Sequence, residues 1–292
     1  MQALDMLATT HSAASDNDVL PFKKPELSQN RILAALSAAD MARLELYLEP
    51  IFLPLGMRLR RSGEDAANVY FPGSGVASLL QIAIDGEITE LALTGREGMI
   101  GVESFLGGNS MPMDTVMLCA GHAYRIKASR LIDEFYLSDS LRRTLLRYAQ
   151  SLLTQIEQTA ICIRHHGIEQ RLCHFLLLCL DRLPSNDLVL TQDLIANMLG
   201  VRREGVTEAA KKLQDAGLIK YRRGHINVAD RIGLESHACE CYGVVKREYD
   251  RLASEPGDRK SAKMDSTEFD ASSALHCTST LSKKTKFAHL SS

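Results

Sequence analysis

Tryptophan is absent from this 292-residue chain, and aromatic residues together make up only 5% of it. The formal net charge of −2 excludes a chain that is basic throughout, so any affinity for nucleic acid must come from a local concentration of charge. The seven cysteines form no CxxC pair, which argues against both a zinc ribbon and a disulfide framework. We therefore expect reduced thiols in a cytoplasm.

Long apolar runs are also missing. No stretch approaches the length of a membrane span, and the first twenty residues lack the charged start and apolar core of a signal peptide. We expect a bacterial cytoplasmic protein with no membrane partner. Its 45% apolar and 24% charged residues are typical of globular proteins, and its length suits about two domains.

The first half of the chain has the pattern of a small β domain. Apolar residues between Pro25 and Tyr47 recur at helical spacing, which predicts a short N-terminal helix. From Glu49 to Ile126, short apolar runs alternate with Gly, Asp, Asn and Pro, as in a barrel or sandwich. The sequence "AIDGEI" predicts a hairpin with a tight two-residue Asp-Gly turn.

A long amphipathic helix is predicted next, with apolar residues spaced alternately by four and three positions, as in a coiled coil. This predicted dimer seam consists of Leu145, Ala149, Leu152, Ile156, Thr159 and Ile163. A second row, Leu146, Leu153 and Ala160, lies beside it and can cover the β domain. The spacing also fits a helix buried in one monomer, but a helix about 40 Å long is awkward to bury there, so a parallel dimer is favoured.

The stretch from Thr191 to Gly217 has a helix-turn-helix pattern. Thr191 is a suitable helix cap, Gly200 permits a turn, and a second helix is predicted from about Arg202 to Ala216. "LIKYRRGHINVAD" then predicts two strands joined at "RRGH", which form a wing. The second helix of such a unit enters the major groove, because only there do base edges distinguish all four base pairs.

The outward face of that second helix has the chemistry for reading bases. An arginine can fork onto guanine O6 and N7, and a carboxylate can accept from cytosine N4. The predicted base-reading residues are Arg202, Arg203, Glu204, Thr207 and Glu208, with Arg203 and Glu204 as the main pair. The inward face is predicted to consist of Val206, Ala209, Ala210 and Leu213.

Phosphate contacts are predicted around this helix. They are Thr191, Gln192, Lys211, Arg222, Arg223 and His225. Between Gly200 and His225, seven Lys or Arg oppose three acidic residues, a local excess of four positive charges that a phosphate backbone would attract. The alternative is an ordinary solvated helical hairpin, which the order of cap, turn, paired arginines and basic wing disfavours.

With these motifs, residues 51–252 resemble the CRP/FNR family of bacterial transcription regulators. The resemblance rests on "GREGMIGVESFLGG", the long helix and "VRREGVTEAAKKLQDAGLI". It implies an α+β fold: an N-terminal β-roll of the cyclic-nucleotide-binding jelly-roll type, a dimerisation helix and a C-terminal winged helix-turn-helix. It implies a homodimer on a near-palindromic DNA operator, with RNA polymerase as a further partner. The family's second arginine falls on Glu208, which alters the expected target sequence.

The resemblance also locates an effector pocket. That pocket is predicted at Gly101, Val102, Glu103 and Ser104. Val102 stands where nucleotide-binding members carry a glutamate, and no arginine lies between Arg96 and Arg125, so cyclic AMP is not expected to bind.

No cofactor or metal site is predicted. The first cysteine is Cys119, which argues against the family's N-terminal iron–sulfur cluster. Haem is not expected either, although His122, His165, His166 and His174 are present, and the His165-His166 pair is interpreted as the cationic end of the long helix. Cys162, Cys173 and Cys179 are interpreted as small apolar residues, and the CxC pair of "ACECY" is assigned no reactive role, with its exposure left open.

The sequence thus predicts five segments. They are a tail and N-terminal helix at 1–48, a β-roll sensor at 49–137, a dimerisation helix at 138–166, a winged helix-turn-helix at 167–253 and a disordered tail at 254–292. One alternative is an effector-independent DNA-binding dimer whose β-roll is a scaffold or an RNA polymerase docking surface. An enzyme is not expected, since the P-loop, HExxH and GxSxG motifs are absent.

Overall fold

The computed structural model describes residues 26–222 and 224–253. The predictions for the first 25 residues, for Arg223 and for residues 254–292 lie outside this part of the chain. Within it, the fold is α+β as predicted, with N-terminal antiparallel sheets, a long helix and a C-terminal helix-turn-helix with a wing.

The N-terminal segment is divided into short helices instead of one. A 3₁₀ turn at Leu27–Gln29 precedes α1 (Arg31–Ala34) and α2 (Ala38–Glu45). The side chain of Asn30 accepts from the backbone N–H groups of Ile32 and Leu33, and Ser37 accepts from that of Asp40. Asn and Ser start new helices in this way, so the predicted continuous helix is interrupted at both positions.

Seven strands form the β-roll as two antiparallel sheets, ordered β1-β7-β3 and β2-β6-β4-β5. The strands are β1 (Glu49–Leu53), β2 (Arg58–Arg60), β3 (Asn68–Pro72), β4 (Val76–Ile82), β5 (Ile88–Thr94), β6 (Asp114–Cys119) and β7 (Gly121–Lys127), with α3 (Glu103–Leu106) between β5 and β6. Buried side chains of both sheets pack together in one apolar cluster that includes Leu53, Tyr70, Ala77, Met117 and Ala123, whereas Phe71, Leu80, Leu93 and Ile126 belong to the main core. Burial of apolar surface of this kind is the main stabilising contribution to such a domain.

The hairpin between β4 and β5 is present, but its turn is longer than predicted. Ile82 and Ile88 form the last strand pair, and the Ala83 N–H donates to the Glu87 carbonyl at 2.9 Å. A two-residue Asp-Gly turn needs positive φ at both residues, whereas here Gly86 has φ 90° and Asp85 does not. The prediction of a two-residue turn is therefore wrong.

Helix α4 (Ala128–Leu137) leads into the predicted long helix, α5 (Asp139–His165). The Ser138 side chain caps α5 by accepting from the Leu141 N–H at 3.2 Å. Helix α5 packs against the β-roll and against the last helix of the described residues, Glu240–Ala253.

The C-terminal unit surrounds the helix-turn-helix with further helices and a small sheet. Its elements are α6 (Ile168–Arg182), β8 (Asp187–Val189), α7 (Gln192–Leu199), α8 (Arg203–Asp215), β9 (Ile219–Arg222), β10 (His225–Val228), α9 (Arg231–His237) and α10 (Glu240–Ala253). The wing has three strands, ordered β8-β10-β9; the sequence predicted two and missed the three-residue β8. Among the described residues, no helix combines the length and apolarity needed to cross a membrane.

Candidate nucleic-acid interface

The two helices of the motif are joined as the sequence predicts. The Leu194 N–H donates to Thr191 Oγ1 at 3.2 Å, which caps α7. Gly200 ends α7 in the left-handed conformation with φ 60°, a backbone geometry that favours glycine. The chain then enters α8 after two residues, and the predicted cap, turn and second helix are confirmed.

Helix α8 is held on the protein by its inward face. The predicted inward residues Val206, Ala209, Ala210 and Leu213 are all buried. Gly205 allows close contact with α6, because a Cβ at this position would lie only 2.7 Å from Ile168 Cδ1. This packing fixes which side of α8 faces solvent.

The five predicted base-reading residues lie on that solvent side, all exposed. Arg202 is the N-cap of α8, and Arg203 and Glu204 begin its first turn. Arg203 is 61% exposed, with its Nε 3.5 Å from Asp193 Oδ1 on α7. Exposed ion pairs of this kind contribute little stability, so the Arg203 guanidinium can leave Asp193 at small cost.

Two other exposed side chains of α8 have partners within the chain. The Thr207 hydroxyl donates to Gln192 Oε1 at 2.8 Å, which links α8 to the start of α7. Glu208 forms an ion pair with Lys212, 3.1 Å between Oε1 and Nζ. Lys212 thereby offsets the negative charge of Glu208, the residue at which the chain departs from the family pattern.

The wing presents basic side chains beside α8. Lys220, Arg222 and His225 are exposed, whereas Ile219 and Ile226 are buried beneath them. Arg222 and His225 face each other across the hairpin of β9 and β10. Together with exposed Lys211 on α8, they supply the positive charge that the sequence predicted for phosphate contacts.

The predicted dimer seam of α5 needs correction, because half of it is covered within the chain. Leu145 is fully buried in the main core, and Ala149 and Leu152 pack on the β-roll. Leu146 and Leu153, predicted to cover the β domain, are instead 44% and 59% exposed. Of the remaining predicted seam residues, Ile156 and Thr159 are half-buried and Ile163 is exposed. Over this part of α5, the prediction therefore assigned the two rows to the wrong sides of the helix. The spacing of apolar residues does not reveal which row faces the β-roll.

The predicted effector pocket is a small cavity, and an arginine that sequence reasoning missed lies in it. Arg60 of β2 forms an ion pair with Glu103, and both side chains are 7% exposed. Ser104 Oγ donates to the Gly101 carbonyl at 2.8 Å, and Val102 packs in an apolar cluster. The cavity is otherwise lined mainly by apolar side chains, including Leu79, Met99, Met111, Met113 and Leu152. Glu103 therefore already has a buried counter-charge.

A buried network joins the β-roll to the C-terminal unit around Arg182 of α6. Its Nε lies 2.8 Å from Glu97 Oε1, and it donates to the Leu93 carbonyl and to Gln155 Oε1. Gln155 of α5 also accepts from the Tyr249 hydroxyl of α10 at 3.1 Å. One guanidinium thus links the β-roll, α5 and α10.

A second contact between these parts involves Glu90 of β5. Ser78 Oγ donates to Glu90 Oε2 at 2.8 Å and also lies 3.6 Å from the Met198 sulfur of α7. Burial raises the pKa of the Glu90 carboxyl to about 8, against the lowering effects of Ser78 and of the Arg182 charge. Glu90 is therefore largely protonated at neutral pH.

The cysteines of the C-terminal unit are buried. Cys239 and Cys241 are both buried, which answers the question of exposure that the sequence left open for "ACECY". They share an apolar cluster with Cys162 of α5. Burial raises the pKa of the Cys119 and Cys173 thiols to about 12, as expected for unreactive thiols.

The fold and this interface define a winged helix-turn-helix protein in which a long helix connects the DNA-binding motif to a β-roll. Residues 170–237 match the family profile of the Crp-like helix-turn-helix domain. The global nitrogen regulator of Synechococcus elongatus is 24% identical over 216 residues, which cover 71% of this chain and 96% of that protein.

Two solved structures have the same fold. FixK2 from Bradyrhizobium japonicum has a TM-score of 0.58 at 19% identity, over 66% of this chain and 98% of that one. A putative regulator of the crp/fnr family from Eubacterium rectale has a TM-score of 0.57 at 18% identity, over 72% and 98%. The chain therefore carries a Crp-like helix-turn-helix domain on the fold of CRP/FNR regulators, which confirms the resemblance seen in the sequence.

Proposed function

We propose that this protein is a sequence-specific DNA-binding transcription regulator that acts as a homodimer in the bacterial cytoplasm. The observation that carries the proposal is the exposure of Arg203 and Glu204 in the first turn of α8, within a Crp-like helix-turn-helix domain. In helix-turn-helix proteins, the N-terminal residues of the second helix contact base edges in the major groove. The side chains at this position are the ones that base reading requires.

In the proposed complex, Arg203 exchanges Asp193 for guanine O6 and N7, and Glu204 accepts from cytosine N4. Arg202, Thr207 and Glu208 border this pair. A second set of side chains contacts phosphates and fixes the register of α8 in the groove. This set consists of Thr191, Gln192, Lys211, Arg222, Arg223 and His225. These roles divide the interface into residues that specify sequence and residues that supply salt-dependent affinity.

The dimer is proposed to form through the exposed apolar row of α5. Leu146, Leu153 and Ala160 repeat every seven residues on its solvent side, with Ile156 and Ile163 along one edge. Parallel pairing of two α5 helices would place two copies of α8 about one helical turn of DNA apart, as a near-palindromic operator requires.

A signal in the β-roll would act through α5, which packs on both the β-roll and α10. The cavity at the predicted effector pocket bears on which signal is possible. Glu103 is paired with Arg60 and Val102 is packed among apolar side chains, so we infer that cyclic AMP does not bind there. We propose that no cofactor occupies this cavity.

The small size and apolar lining of this cavity favour a second candidate: a dimer that binds DNA without an effector, whose β-roll is a scaffold or a docking surface for RNA polymerase. Leu152 of α5 lines the cavity beside Met111 and Met113, so apolar side chains of the chain itself line the cavity around α5. Protein stripped of small molecules distinguishes the candidates. Full operator affinity supports effector independence, and affinity that returns only with cell metabolites supports a sensor.

The experiment for DNA recognition is a selection from random duplexes with the purified full-length protein, followed by binding assays on the winning site. Arg203→Ala should cost about 1 to 3 kcal/mol on that site and relax the choice of one base pair. Arg222→Ala should weaken binding to all duplexes similarly and flatten the salt dependence. Arg61→Ala, an exposed arginine of the β-roll, is the matched control and should change neither. Failure to enrich any sequence would refute the proposal.

A further inference from the structure

Three cysteines and one histidine from distant parts of the chain meet at the junction between α5 and the C-terminal unit. Cys162 lies in the last turn of α5, His166 follows that helix, and Cys239 and Cys241 lie just before and within the first turn of α10. One ligand atom from each residue lies within 4.8 Å of all the others. All three cysteines are buried.

The spacing of these atoms is close to that of a tetrahedral metal site. Cys162 Sγ and Cys239 Sγ are 3.5 Å apart, and Cys241 Sγ is 3.6 Å from His166 Nδ1. With zinc–sulfur bonds near 2.3 Å and zinc–nitrogen bonds near 2.0 Å, the edges of such a tetrahedron measure about 3.5 to 3.8 Å. Small side-chain adjustments would bring four ligands onto one ion.

The ring of His166 is already oriented for this role. Its Nε2 lies 3.2 Å from Glu240 Oε1, so the carboxylate holds one ring nitrogen while Nδ1 faces Cys241. A carboxylate behind a metal-binding histidine is a common supporting contact in zinc sites. The interpretation of His166 as merely the cationic end of the long helix is therefore incomplete.

Two further buried side chains border the cluster. His174 Nδ1 lies 3.5 Å from Cys162 Sγ and 3.8 Å from Cys239 Sγ, within reach of hydrogen bonds to thiolates. Arg171 lines the same cavity as Cys162 and His174. Three thiolates on a divalent cation leave one net negative charge, which a nearby guanidinium offsets.

We propose that Cys162, His166, Cys239 and Cys241 bind one zinc ion in a structural site. Thiolate and imidazole ligands favour zinc over magnesium or calcium, which prefer oxygen. Four ligands from the protein leave no open position for a substrate, as in structural zinc sites. This inference revises the expectation of no metal, and it does not depend on DNA binding.

The proposed ion would tie the end of α5 to the start of α10 across the junction at Gly167. The direction in which the DNA-binding unit leaves the long helix would then be fixed by metal bonds as well as by packing. Loss of the ion would loosen that junction, which lies at the opposite end of α5 from Leu145, Ala149 and Leu152, the residues that pack on the β-roll.

Metal analysis of the full-length protein, purified under reducing conditions without chelator, tests the site. We expect one zinc per chain. Protein treated with a chelator and then titrated with cobalt(II) should develop the intense visible absorption of tetrahedral cobalt bound to thiolates. Zinc binding to the folded state should raise the midpoint of thermal unfolding by roughly 8 °C or more at saturating metal.

Variants assign the ligands. Cys241→Ser should weaken cobalt binding by at least about 100-fold, a loss expected to exceed that of a supporting residue. Cys173→Ser, a buried thiol of α6 outside the cluster, is the matched control and should bind cobalt normally. The chelator and cobalt measurements use the unaltered chain, so they decide the matter even if Cys241→Ser does not fold.

Three results would overturn the proposal. These are zinc-free protein that gives no cobalt absorption after reduction, iron in place of zinc, and equal loss of cobalt binding in Cys173→Ser and Cys241→Ser.

Discussion

Replacement of Arg182 by methionine tests the connection between the β-roll and the DNA-binding unit. The Arg182 and Glu97 side chains are only 3% and 9% exposed and lie 2.8 Å apart between Nε and Oε1. Methionine keeps much of the apolar volume of the side chain but leaves the Glu97 carboxylate without its counter-charge. The Leu93 carbonyl and Gln155 Oε1 also lose a hydrogen-bond donor.

The expected cost follows from this burial. Breaking a buried ion pair by removing one partner typically costs about 3 to 5 kcal/mol, because the remaining charge stays desolvated. For a chain of this size each kcal/mol lowers the unfolding midpoint by roughly 2 to 4 °C, so the midpoint should fall by roughly 6 to 20 °C. The double variant Arg182→Met/Glu97→Gln should recover part of this loss, since no buried charge remains unpaired.

A complete double-mutant cycle compares four proteins by urea and thermal unfolding. They are the unaltered chain, Arg182→Met, Glu97→Gln and the double variant. Arg61→Met, an exposed arginine, is the control and should stay within about 0.5 kcal/mol. A loss below about 1 kcal/mol in Arg182→Met, or strictly additive effects of the two substitutions, would refute the role assigned to this ion pair.

Three further predictions follow from other contacts. Because the folded-state pKa of Glu90 is raised from 4.5 to about 8, the free energy of unfolding should fall by up to about 1.4 kcal/mol per pH unit as pH rises between these values. Glu90→Gln should flatten that slope in urea titrations at pH 5 to 8, and an unchanged slope would contradict the assignment. Leu153→Glu, in the exposed apolar row of α5, should dissociate the proposed dimer in sedimentation velocity. Leu46→Glu, at a more exposed leucine outside that row, is the control and should not. A dimer that survives Leu153→Glu would exclude this row as the dimer seam. Thr191→Ala should destabilise the chain by about 1 kcal/mol through loss of the α7 cap, and an unfolding midpoint equal to that of the unaltered chain would argue against the cap.

The helix-turn-helix was predictable because its signals are local. A cap at Thr191, a left-handed glycine at Gly200 and an apolar face on α8 all act within a few residues of each other. Such short-range features are set by backbone geometry and helical period, which sequence displays directly. The burial pattern of α8 follows from the same period.

Features that depend on distant contacts were not predictable in this way. The heptad spacing of α5 gives two apolar rows, but only packing decides that Leu145 faces the β-roll and Leu146 faces solvent. Arg60, which pairs with Glu103 in the predicted effector pocket, lies on a strand 43 positions earlier in the sequence. Cys162 and Cys239 are separated by 77 positions, so no ligand motif could reveal their contact.

Footprinting on the selected operator tests the central claim most directly, namely that two copies of the chain each place α8 in a major groove. Hydroxyl-radical cleavage together with the mass of the complex should give two protomers per duplex and two protected segments on one face, centred about 10 base pairs apart. One protomer per duplex, or a single protected segment that Arg203→Ala leaves unchanged, would contradict the account.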